Sequence, residues 1–432
     1  MNRRAWASWC VWMLLCALAH AEDPVLPRLL EGDLENGLHV VVCPRAAEGR
    51  VVVRLTLGVG HYDDGEGDAR SDLLARTFVA TWRAERAQLA PLAAAVSARE
   101  TALTVGARQE ELPAVFDALA SLLTRADFAD PIVAEQKAEL LRDLANAARS
   151  ADGDAASLFA DVGVPGHPGR FTRAQRSRAA GAVDEASALQ LRTARAVPGN
   201  AVLVVVGDGD PGATLRLART AFQGWARAAL PEPTRPTRPL PEASARLIAH
   251  DARASAGCAL TLGWRVAIPT QDDVAVHDVL ASLLAEGPQA RVPSAFPQAR
   301  VIDDARDEAF AAPGAFAWAI DVAGSMREDA IAKLTQMGVD LGRSGPTQAE
   351  LDRARNRVRM RWSVVADRQD LLAARLASDR LWRGDARALD ADLRRLDALT
   401  IADVRDAAAR WLRPEAVVVV AKAAAAPRDR AR

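Results

Sequence analysis

Leu189-Gln-Leu-Arg-Thr-Ala-Arg-Ala-Val197 runs into Pro198-Gly-Asn200 and then Ala201-Val-Leu-Val-Val-Val206. This reads as an amphipathic helix, a tight turn and a buried strand. Val404-Arg-Asp-Ala-Ala-Ala-Arg-Trp-Leu412, Arg413-Pro-Glu415 and Ala416-Val-Val-Val-Val420 repeat that order at an offset of 215 residues. So long a period means two domain-sized copies, not a short-repeat solenoid. Between them lies Leu230-Pro-Glu-Pro-Thr-Arg-Pro-Thr-Arg-Pro-Leu-Pro241, whose prolines forbid a helix or an interior strand and make a stiff linker.

Each copy opens with strands. Leu29–Leu34 and Leu38–Cys43 flank Glu35-Asn36-Gly37, a hairpin signal, and the alternating strand Val51–Val59 follows. Arg246–Ala249 and Ala259–Val266 are expected to play these parts in the second copy. Helices are expected over Ser71–Ala87 and Leu112–Thr124, then over Val274–Ala285, Glu328–Leu341 and Ala349–Leu381. Strands and helices in blocks, without βαβ alternation, predict an α+β fold of two homologous halves, each a mainly antiparallel sheet with helices packed on it. The expected organisation is a signal peptide over 1–21, an N-terminal half over 22–229, a linker over 230–241, a C-terminal half over 242–425 and a tail over 426–432.

The first segment carries Arg3 and Arg4, an apolar run from Ala5 to Ala19, and Ala19-His20-Ala21 as a small-x-small exit. These are the parts of a secretory signal, and the run is short for a bilayer span. Export, most simply to a bacterial periplasm, is the expectation, with no stable membrane insertion. Beyond residue 21 there remain 53 basic and 56 acidic residues, a balance that argues against nucleic acid as a partner. Cys43 and Cys258 lie in strand-like runs of different halves and are expected as buried free thiols.

Gly207-Asp-Gly209-Asp-Pro-Gly212 fits a dinucleotide fingerprint. However, Asp208 and Asp210 would repel a pyrophosphate, and Asp210-Pro211 is an ordinary helix start. There is no G-x-S-x-G elbow, and with three lysines (Lys137, Lys333, Lys422) no Walker-type loop. His39, His61, His167, His250 and His277 are scattered, so no helix presents two imidazoles on one face. His61-Tyr62-Asp63-Asp64 reads as an exposed loop, and His167 as part of a Pro-Gly turn. The arginines alternating over Arg353–Arg361 go around their helix and read as a solvated surface with acidic partners.

Leu34-Glu-Asn-Gly-Leu-His-Val-Val-Val42 resembles the opening of the insulinase, pitrilysin and mitochondrial processing peptidase family of zinc metallopeptidases. So do Leu57-Gly-Val-Gly60 with Asp63-Asp64, Gly166-His-Pro-Gly-Arg170, and Pro198 through Asp208 running into Asp210-Pro211. The resemblance covers about Leu29 to Lys422 and implies a clamshell of two peptidase-like halves. The family's chemistry needs H-x-x-E-H on the first helix. Here Asp72-Leu-Leu-Ala-Arg76 stands on those positions, and the third ligand falls near Asp143. Asp72 and Asp143 alone give a hard cation too few oxygens.

The resemblance therefore implies no catalytic residue, no cofactor and no metal here, zinc being expected in active relatives only. A guanidinium stays charged and offers no lone pair, so Arg76 is expected to replace the zinc charge by pairing with Asp72 or Asp143. Arg291, in Ala290-Arg291-Val292, is the candidate remnant of the arginine-tyrosine pair that holds substrate. Its tyrosine is missing, since Tyr62 is the only one in the chain. The expected role is a non-catalytic homologue that binds peptides or pairs with a zinc-binding family member in a hetero-oligomer. The rival readings are a metallopeptidase completed by a partner and a scaffolding protein.

Overall fold

The computed structural model describes Leu26 and residues 28–65, 68–125, 127–147, 151–164, 170–171, 173–232, 243–248, 257–266, 270–304 and 314–423. The signal segment, His167, His250 and most of the proline-rich linker lie outside these residues.

The first half runs β1 (Leu30–Asp33), β2 (His39–Pro44), β3 (Arg50–Leu57), α1 (Arg70–Glu85), β4 (Leu92–Val96), β5 (Thr101–Arg108), α2 (Leu112–Thr124), α3 (Asp130–Ala147), α4 (Ala151–Gly163), α5 (Arg173–Ala182), α6 (Glu185–Arg195), β6 (Ala201–Gly207) and α7 (Pro211–Phe222). The second runs β7 (Ala245–Ile248), β8 (Gly257–Val266), α8 (Val274–Ala285), α9 (Arg291–Ala295), β9 (Arg300–Asp304), β10 (Gly314–Ala323), α10 (Arg327–Ser344), α11 (Gln348–Asp367), α12 (Gln369–Arg383), α13 (Ala388–Ala398), α14 (Ile401–Trp411) and β11 (Val417–Ala423). The fold is α+β, as the sequence predicts.

The sheets have the orders β1-β2-β6-β3-β5-β4 and β7-β11-β8-β10-β9. In each, the closing strand lies parallel to one neighbour (β6 to β2, β11 to β7) and every other pair is antiparallel. The opening strands of the second copy are β7 and β8, which take the places of β2 and β3, and β1 has no counterpart among the described residues. The repeat offset is 216, because Pro198 and Pro414 each open a 3₁₀ turn before the closing strand. Proline at the start of the turn sets the register, so Val417 matches Ala201. The helices before these turns begin alike, with Asp184 and Thr400 each accepting a hydrogen bond from the backbone three residues on.

Alternation along β3 decides its two faces. Val51, Val53, Leu55 and Leu57 join Phe78 and Trp82 of α1 and Phe116 of α2 in one apolar cluster. The opposite face of the sheet is covered by a helix of the other half. Leu372, Ala373, Leu376 and Ala377 of α12 share a cluster with Val41, Cys43, Val202, Val204 and Val206. In return, α4 lays Phe159 against Ala315, Ala317, Val418 and Val420 of the second sheet. With both faces covered, β6 is buried at every residue, which is why its sequence is a continuous apolar run.

This exchange corrects the expectation of one helix over Ala349–Leu381. The chain breaks at Arg368, whose extended backbone (φ −88°, ψ 124°) ends α11 and starts α12. No proline or glycine marks the break; α12 must leave its own half to reach the first sheet. Of the alternating arginines, Arg361 pairs with Asp278 (2.8 Å) and Glu286 (2.6 Å) and Arg359 with Asp397, whereas the half-buried Arg355 and Arg357 donate to the backbone carbonyls of Leu399 and Glu286. Cys43 and Cys258 are buried free thiols. Burial pushes the Cys43 thiol up to about 11 against the nearby Arg45 and Arg387.

Candidate functional site

Asp72-Leu-Leu-Ala-Arg76 lies on α1. Ala69, which precedes the helix, is left-handed (φ 60°, ψ 31°) and makes no side-chain cap. Asp64 supplies the cap instead: its Oδ1 accepts from the Ser71 backbone N–H at 2.8 Å and lies 2.7 Å from Ser71 Oγ. A carboxylate at a helix start is favoured by the helix dipole. Ser71 Oγ is also 2.9 Å from the Gly60 carbonyl. One hydroxyl proton serves only one of these acceptors, so the pair of contacts is complete when Asp64 carries a proton. In line with this, burial pushes Asp64 up to about 6, opposed by Ser71 and His61 and helped by the charge of Asp72.

Residues 61–64 are therefore not an exposed loop. Asp64 is buried and the other three are half-buried. His61 and Tyr62 donate their backbone N–H groups to Ser97 (3.0 Å) and Ala98 (2.7 Å) in the turn between β4 and β5. Gly60 makes this approach possible, since a Cβ there would meet the Arg99 backbone at 2.6 Å. From the second half, Trp382 of α12 clasps the same turn: its indole N–H donates to Glu100 at 2.8 Å, and the Arg99 guanidinium lies 4.8 Å from its ring.

Asp72 and Arg76, four residues apart, share a face of α1, while Ala75 is buried. Arg76 donates to Asp143 of α3 at 2.8 Å. Of the two acids expected as its partner, Asp143 is the one it reaches. Asp72 is taken by Arg176 of α5, also at 2.8 Å, with His61 Nε2 3.3 Å away. Burial disfavours the Asp72 charge, but His61, Arg176 and Arg76 outweigh it and hold the carboxyl below its usual range. Arg176 and His61 were missed in the sequence, since nothing in a one-dimensional pattern joins them to Asp72.

The family's zinc does not fit this face. Ala75 has no donor atom, the Arg76 guanidinium has no lone pair, and Asp72 and Asp143 already neutralise arginines. Arg291 sits elsewhere: at the start of α9 it holds Glu350 of α11 through two contacts of 3.1 and 3.2 Å. Burial works against the Glu350 charge, but Thr347 and Arg291 lower its pKa on balance. The glycine fingerprint is a turn and a cap: Asp210 accepts from Ala213 N–H at 2.6 Å, and Asp208 accepts from Gly49 N–H. A cleft of about 850 Å³, lined by Arg50, Arg108, Gln109 and Gln369 among others, lies at the opposite end of β3 from His61 and includes no residue of α1.

A family model described as "Peptidase M16 inactive domain" matches residues 192–358. A search of curated protein sequences finds no match. Solved structures with the same fold include a protease from Helicobacter pylori (18% identity, TM-score 0.78, 92% of this chain and 99% of that one). A peptidase M16 inactive domain from Pseudomonas fluorescens matches at 16% identity and TM-score 0.76, over 93% and 98% of the two chains. A chain of complex III2 from Candida albicans matches at 13% identity and TM-score 0.74, over 92% and 96%. The fold implied by the insulinase and pitrilysin resemblance holds over nearly the whole chain, and the matched model covers the end of the first half and much of the second.

Proposed function

We propose that this protein is a non-catalytic peptidase homologue that pairs with a zinc-binding relative and contributes a peptide-binding wall to the complex. The observation that carries this reading is the paired charge on α1: Arg76 with Asp143 and Asp72 with Arg176, each at 2.8 Å. A hydrolytic zinc site needs neutral imidazoles, an open coordination position and a free carboxylate base. Here the acids are spent on arginines.

Peptide binding is supported by β4. It is the last strand of its sheet, pairing with β5 on one side, and it leads into the turn that holds His61. An edge strand offers unpaired backbone groups to an extended peptide. Ala93 and Ala95 of β4 are exposed and leave room beside it. The fold shared with a complex III2 chain favours assembly with other subunits. The signal-like start supports a bacterial periplasmic location for the pair, and among the described residues no helix is long and apolar enough to cross a membrane.

The test is co-expression with an intact H-x-x-E-H relative, followed by affinity capture and a peptide-cleavage assay with and without this chain. Co-elution with altered cleavage is expected. Separate elution would remove the partner role, and one zinc per chain in the purified protein would remove the non-catalytic one.

A further inference from the structure

His61, Asp64 and Asp72 present one imidazole nitrogen and two carboxylate oxygens that all lie within 4.8 Å of one another. Asp72 alone coincides with a position of the zinc motif; the other two come from the loop before α1. The group is half-buried: the side chains of His61 and Asp72 are 24% and 25% exposed. Asp64 is 9% exposed. His61 Nε2 is buried without a hydrogen-bond partner, facing Asp72 at 3.3 Å but out of line for a bond. One nitrogen and two oxygens form a donor set suited to a borderline divalent ion such as zinc or cobalt.

A cation already stands beside this set. Arg176 Nη2 is 2.8 Å from Asp72 Oδ2, its side chain about a quarter exposed. Arg76 does not compete for that oxygen, because it is turned to Asp143. A guanidinium supplies positive charge and hydrogen bonds but no lone pair. It therefore neutralises Asp72 while repelling a metal ion from the same few ångströms.

We propose that His61, Asp64 and Asp72 form a cation site displaced from the family's zinc position, with the Arg176 guanidinium as its resident cation. Removing that guanidinium opens the trio to a divalent transition-metal ion. Arg176, not Arg76, is then the residue that keeps this chain free of metal. The proposal stands apart from the peptide and partner reading, since it concerns only which cation the trio holds.

Full-length wild type, Arg176→Gln and Arg176→Leu are titrated with Zn²⁺ and Co²⁺, following Tm and cobalt absorption. Both variants are expected to take one ion per chain at least about tenfold more tightly than wild type, as loss of a neighbouring like charge implies. Their Tm should rise with metal, and the cobalt band should vanish when His61→Ala is added. Arg76→Ala should bind no better than wild type. Variants that bind no more tightly than wild type, or binding that survives His61→Ala, would overturn the proposal. Should the Arg176 variants fold only with zinc present, that rescue supports it. Should they fold under neither condition, Arg176→Lys decides: it keeps the positive charge and should bind metal no better than wild type, and tighter binding there refutes the proposal.

Discussion

Two sets of arginine–aspartate pairs differ in what they do. On α1 and its neighbours, Arg76 and Asp143 have side chains 33% and 61% exposed. Between α12 and α13, Arg383 holds Asp392 through two contacts of 2.7 Å and reaches Asp379 at 3.1 Å, while Arg375 engages the same two acids. There the side chains of Arg383 and Asp392 are 2% and 0% exposed. Solvated pairs contribute little to stability, whereas a buried pair cannot lose one member without stranding a charge. The buried network therefore holds α12 in the shape that crosses to the first sheet. The pair of Arg76 with Asp143 is the more solvated of the two and can give way at little cost.

The largest test of that distinction is Asp392→Ala. It leaves the buried Arg383 and the half-buried Arg375 short of an acid and should cost about 3–5 kcal/mol, read as a fall in the denaturation midpoint. A loss under about 1 kcal/mol would mean the network is dispensable.

Asp64 tests the other side through pH. Its folded pKa, about 6, lies above its ordinary value of 3.8. The folded state thus holds this proton more tightly, and stability from Asp64 is full below pH 4 and lost as pH rises through 6. Relative to Asp64→Asn, the wild type should lose on the order of 2–3 kcal/mol between pH 4 and pH 7. Parallel stability curves for the two proteins would show that Asp64 is not held protonated.

Trp382→Phe removes the indole donor to Glu100 but keeps an apolar ring. It should cost about 1 kcal/mol and loosen amide protection at His61 and Tyr62, seen by hydrogen exchange. Unchanged protection would detach α12 from the site. The smallest effect is expected for Arg76→His, below about 1 kcal/mol because the pair is solvated. The variant should still take up no zinc, since Ala75 and Arg176 remain; zinc uptake would return the decisive role to Arg76.

The repeat and the α+β class were legible because they rest on local signals: apolar periodicity and turn prolines. Helix Val274–Ala285 and helix Leu112–Thr124 occupy the residues their periodicity predicts. The strands β4, β5, β9 and β10 were not foreseen. Ala and Thr dominate Leu92–Val96 and Thr101–Arg108, and alanine carries no strand preference to betray them. The break at Arg368 and the enclosure of His61-Tyr62-Asp63-Asp64 were invisible for another reason: each is imposed by an element distant in sequence.

The sequence by itself determined that this chain has two halves of one α+β design and that its first helix carries Asp72, Ala75 and Arg76 on one segment. Those properties depend on residue type and spacing along the chain. Only the tertiary structure decided that the halves exchange α4 and α12, that Arg76 takes Asp143, and that Arg176 and His61 meet at Asp72. Such pairings depend on distances of a few ångströms between residues up to about a hundred positions apart (Arg176 and Asp72 are separated by 104). Charge complementarity alone cannot choose among 55 basic and 56 acidic side chains; packing of the helices does.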